Sequence, residues 1–101
     1  MKNTTIKFQL EDREIDLTLT FSRLLKIKNN NKKKYEEFMK AISNKNFDII
    51  FDSLTVLYVA YLCGLDNLED ALSEDEFMDL CPMDLEIIGN TIAELLNTKK
   101  K

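Results

Sequence analysis

Histidine and tryptophan are absent from this chain, and its 101 residues include one proline, two glycines and two cysteines. Losing histidine removes the commonest general base and with it any Ser-His or Cys-His nucleophile pair. Two cysteines without histidine do not complete a tetrahedral zinc site. The only glycines, Gly64 and Gly89, stand too far apart for a phosphate-cradling loop. So little glycine and proline leaves few breaks, which favours helices over an all-β meander. Apolar and polar residues alternate from Thr4 onward, and nothing there reads as a signal peptide. Cys63 and Cys81 lie inside apolar helical patterns, so they are expected as reduced, buried small hydrophobes.

What is present suits one domain over 1–101: 45% of residues are hydrophobic and 32% charged. No charge interrupts the stretch between Asp52 and Asp66, which carries Leu54, Val56, Leu57, Tyr58, Val59, Ala60, Tyr61, Leu62, Cys63 and Leu65. A segment apolar on nearly every side has to be enclosed on nearly every side. A buried strand competes as a reading, because β-branched and aromatic residues abound. The run is long for a strand, however. Asp48 is a good cap and Gly64 suits a left-handed C-cap, so a central helix over 48–64 is expected. It falls short of the ~20 residues a membrane helix needs and contains Asp52, which argues against membrane insertion.

Residues 4–20 show two alternating runs. Ile6, Phe8 and Leu10 fall on one face of the first, and Ile15, Leu17 and Leu19 on one face of the second. Only Glu11 to Glu14 separate them, so a β-hairpin follows. A lone hairpin is marginal in water, and its apolar face must lie on helices or pair with another sheet. The second arrangement would be an assembly contact.

The remainder, 21–98, reads as about five helices. Thr20 or Ser22 caps a short one to about Lys28, with Phe21, Leu24, Leu25 and Ile27 apolar. Asn31 caps the next, where Tyr35, Phe38, Met39 and Ile42 recur at helical spacing. After the central helix, 66–71 reads as a loop or single turn. Ser73 and Glu76 then form an S-x-x-E capping box, with Leu72 and Phe77 as its hydrophobic staple. Pro82 separates that short helix from a last one starting near Asp84, with Leu85, Ile88, Ile92, Leu95 and Leu96 inward. A basic tail, 99–101, closes the chain. The expected class is α+β, mostly α: an N-terminal hairpin and helices around the central apolar segment.

Net charge is −4, but it is unevenly spread. From Ser22 to Asn46 eight basic residues face only Glu36 and Glu37, a net of +6, whereas Phe47 to Thr98 holds twelve acids and no base, a net of −12. Solvated helix faces of opposite sign account for this, and so does a polarised surface that stacks head to tail with copies of itself. The triplet Lys32, Lys33, Lys34 opens a helix, where the dipole disfavours cations; it serves either solubility or function. Nucleic acid is a poor partner, since the acidic remainder repels phosphate and no aromatic-interleaved basic pattern is present. Glu74, Asp75, Glu76 and Asp79 resemble a metal cluster only superficially. Their spacing lacks the alternating ligands of a calcium loop, and the capping box explains Glu76, so no metal or cofactor is expected.

The order of segments resembles a known family. LTLTFSRLLKIK (17–28), KKKYEEF (32–38), L-x-V-L-Y-V-A-Y-L-C (54–63) and LSEDEFMDLCPMD (72–84) are similar to tail assembly chaperones of long-tailed phages and prophages of Gram-positive bacteria. The resemblance implies a non-enzymatic protein of the bacterial host's cytoplasm that binds the tape measure protein while tail tube protein polymerises around it. It marks no client-binding residue. Physical reasoning places self-association on the hairpin face (Ile6, Phe8, Ile15, Leu17) and client or neighbour contact on Phe77, Met78 and the last helix. The rival expectation is a small acidic phage-encoded inhibitor or regulator that binds a basic host protein.

Overall fold

The period-two pattern of the first twenty residues becomes a hairpin. In the computed structural model, which describes residues 5–43, 46, 48 and 50–97, β1 (Ile6–Gln9) pairs antiparallel with β2 (Glu14–Leu17). Ile6 lies opposite Leu17 and Phe8 opposite Ile15, which puts the apolar side chains on one face. On the other face Lys7 donates to Asp16 Oδ1 at 2.6 Å. The connection closes through Leu10 N–H, which donates to the Arg13 carbonyl at 2.8 Å.

Five α-helices follow: α1 (Phe21–Asn30), α2 (Lys32–Ser43), α3 (Phe51–Gly64), α4 (Glu74–Leu80) and α5 (Leu85–Asn97), with a 3₁₀ turn at Leu68–Asp70. The fold is therefore α+β and mostly α. Local chemistry sets most boundaries. Thr20 Oγ1 accepts from Arg23 N–H, and Asn31 Oδ1 accepts from Lys34 N–H. Asp84 Oδ1 accepts from the amides of Glu86 and Ile87. At α4 the capping box is complete: Ser73 Oγ accepts from Glu76 N–H, and Glu76 Oε1 accepts from Ser73 N–H. α3 begins three residues later than expected. Asp48 still serves its start, with Oδ1 accepting from the amides of Ile50 and Phe51.

α3 is the hub. Every residue from Val56 to Cys63 is buried, and α1, α2, α4, α5 and β2 all pack on it. The hairpin takes the first of its two options, lying on helices: Thr18 N–H donates to the Ala60 carbonyl at 3.2 Å, and Glu11 N–H to the Leu80 carbonyl at 2.8 Å.

The role expected for Gly64 needs correction. Among the described residues no glycine has positive φ, so Gly64 is not a left-handed cap. It is the last residue of α3, and it is small because β2 crosses it: a Cβ there would sit 2.4 Å from the Asp16 carbonyl oxygen. The end of α3 is capped by Arg23 instead, whose Nη1 donates to the carbonyls of Cys63 and Leu65, both at 2.9 Å. The basic tail at 99–101 lies outside the described residues.

Candidate functional site

Two tyrosines of α3 hold the interior together. The Tyr58 hydroxyl donates to the Leu72 carbonyl at 2.7 Å, and the Tyr61 hydroxyl accepts from Leu72 N–H at 2.9 Å. Tyr61 stacks on Phe77 with centroids 5.2 Å apart, and Tyr58 meets the same ring edge-on at 5.4 Å. Burial, then the nearby Glu74 charge, push the Tyr58 phenol upward, which keeps it neutral. Cys63 and Cys81 are buried and not joined in a disulfide, and burial pushes the Cys81 thiol up to about 11, far from a nucleophile's range.

The hairpin face assigned to self-association lies in the interior of this same chain. Phe8, Ile15 and Leu17 are core residues of this same chain, and Ile6 packs against that core half-buried. None is displayed for a second copy, because the hairpin face is already covered by α3. Phe77 is likewise fully buried, and Met78 beside it is half-buried.

The lysine triplet divides. Lys32 and Lys33 are exposed. Lys34 falls on the inward stripe of α2 with Phe38 and Ala41, and its Nζ donates to Glu37 Oε1 and Glu74 Oε1, both at 2.6 Å, above the Tyr58 ring. It ties α2 to α4 and is out of reach of a partner. Burial alone lowers its pKa, but the hydrogen bonds and charges of Glu37 and Glu74 outweigh this and hold it above its ordinary value. A raised folded pKa gives stability that is complete below the unfolded pKa and is lost as pH rises through the folded one. Lys34→Met is thus expected to lower the urea midpoint by a constant amount at neutral pH. The gap to the unmodified chain should narrow as Lys34 loses its proton in the alkaline range, and a gap that stays constant through that range would contradict this account.

Two apolar features face solvent. Phe21 and Leu25 on α1 and Tyr35, Met39 and Ile42 on α2 border an apolar groove of about 150 Å³, floored by Leu24 and Phe38 and closed at one side by Leu96 of α5. Leu25 is 56% exposed, and Met39 and Ile42 about 40% each. Lys28 shares the face of Phe21 and Leu25 by helical spacing, with Nζ 5.6 Å from the Tyr35 centroid. Lys32 shares the face of Tyr35 and Met39, so two cations stand at the groove's end next to the α1–α2 turn, with Glu36 further along α2.

A second apolar feature lies between α4 and α5. Met83 is wholly exposed, Leu85 is 50% exposed and Ile87 46%. Asp84 and Glu86, which lie between them in sequence, are exposed as well. Leu85 was expected inward; it starts α5 on the outside, and Ile88, Ile92 and Leu95 make the buried stripe.

Among the described residues no helix is long and apolar enough to cross a membrane, and no group of three or more histidine, cysteine, aspartate or glutamate side chains is placed to hold a metal ion. No protein-family model, no curated protein and no solved structure matches this chain.

Sequence reasoning missed the groove because it named four apolar positions on α1 without dividing them between core and surface. Leu24 and Ile27 are buried, while Phe21 and Leu25 face out. The usable signal was an excess: the apolar positions of α1 and α2 exceed what one buried stripe requires.

Proposed function

We propose that this chain is a non-enzymatic phage tail assembly chaperone, acting in the cytoplasm of the bacterial host, that holds the tape measure protein while tail tube protein assembles around it. The observation that carries this reading is the groove between α1 and α2. It is lined almost wholly by carbon and has room for an apolar side chain from an amphipathic helix, the form in which an extended helical client offers its apolar stripe. Met39 supplies an adaptable contact suited to imperfectly matched partners. The groove is also built from the segments 17–28 and 32–38 that carry part of the family resemblance, whereas 54–63 and 72–84 form the scaffold beneath it.

Co-expression with a phage tape measure protein tests the reading. The unmodified chain is expected to co-purify with that client, and Leu25→Glu to retain at most a tenth as much while keeping its helical circular dichroism. Equal capture by Leu25→Glu would remove the groove from the account. Capture of a basic host protein through the acidic half, with no client bound, would favour the inhibitor reading instead.

A further inference from the structure

The apolar rows of α1 and α2 that line the groove both end in a cation. On α1, Lys28 continues the row of Phe21 and Leu25; on α2, Lys32 precedes Tyr35 and Met39 in theirs. Lys28 Nζ lies 5.6 Å from the Tyr35 ring centroid, which places this end of the groove beside the α1–α2 turn. Both lysines are exposed, and among the described residues neither forms an ion pair. Glu36, one turn beyond Lys32, is exposed and pairs with neither. The apolar volume of about 150 Å³ is of the order that holds one aromatic ring, so a single large side chain fills it. The rest of any partner then lies across the rim, where it displaces water around the two lysines and strengthens their field.

We infer that the partner fitted to this groove is an acidic amphipathic helix. One leucine or phenylalanine enters between α1 and α2, and carboxylates one turn along the same face of the partner meet Lys28 and Lys32. A basic helix with the same apolar stripe is turned away by the same two charges. This rests on the groove being a docking surface, as taken above, and names the chemistry of what docks there.

Two synthetic peptides test the inference without the tape measure protein, so this experiment and the client experiment can fail separately. Each is a helical peptide of about 15 residues with a central leucine. One carries two glutamates on the leucine's face in the next turn, and the other two lysines at those positions. Titrated at low salt into the isotopically labelled chain, the glutamate peptide is expected to bind about tenfold more tightly and to shift amide resonances of α1 and α2. Salt at about 1 M, where the screening length falls to about 3 Å, should remove most of that difference. Lys28→Glu with Lys32→Glu should reverse the preference; if circular dichroism shows that variant unfolded, Lys28→Gln with Lys32→Gln should abolish it. No binding of either peptide up to about 1 mM, equal binding of the two, or a preference unchanged by the lysine substitutions would each overturn the inference. So would capture of the chain by anionic phospholipid vesicles that the glutamate peptide does not displace, which would make this face a membrane surface.

Discussion

Tyr61→Ala is expected to lower the unfolding free energy by about 3 to 5 kcal/mol, the range for a large aromatic removed from a packed core. The ring is 4% exposed and stacked on Phe77, and its loss leaves a cavity that the surrounding helices close only in part. Its hydroxyl is also the acceptor for Leu72 N–H, so the truncation strands a backbone donor. Tyr61→Phe separates the two contributions: it keeps the ring and orphans the amide, for about 1 to 3 kcal/mol. Domains of this size hold roughly 5 to 15 kcal/mol in total, so the alanine variant should approach the edge of folding. Urea titration followed by far-ultraviolet circular dichroism measures both. An alanine variant as stable as the unmodified chain would show that the molecule is not centred on α3.

Gly64→Ala is expected to cost about 3 kcal/mol, the upper end for an overpacked site, and to lower the melting temperature by more than about 10 °C. Propensity alone predicts the opposite, since alanine outranks glycine in a helix by up to about 1 kcal/mol. The clash decides the sign. The new methyl would lie 2.4 Å from the Asp16 carbonyl oxygen and 3.1 Å from its carbon, and both belong to backbone that does not swing aside. To admit it, β2 has to lift off α3 and carry Ile15 and Leu17 out of the core with it. A Gly64→Ala variant that melts higher than the unmodified chain would show that the hairpin is not seated as described.

These two positions illustrate what could be read from the chain. Tyr61 belongs to a run whose burial on every side follows from having no polar face, so the central helix was legible. The hairpin and the Ser73–Glu76 box were legible too, because their causes lie close together in sequence. Gly64 was given the wrong reason. A glycine at a helix end suggests a left-handed cap, and the strand that crosses it comes from a segment distant in sequence. Lys34 failed similarly: as one of three lysines it looked solvated, yet its partner Glu74 lies 40 positions away. Its place on the stripe of Phe38 and Ala41 was the available clue. The candidate surfaces were least legible, because apolar residues left facing out look like core residues until the helices are placed.

Leu72 sits outside any strand or helix, yet tyrosine side chains satisfy both its N–H and its carbonyl. A residue held in this way acts as a built-in gauge. Its amide is shielded only while both phenols stand in place against Phe77, so hydrogen exchange at this single loop position reports whether the aromatic interior is intact. The surface groove can be filled, emptied or mutated without the gauge moving, and a change at Leu72 would therefore mark damage to the scaffold as distinct from loss of a partner.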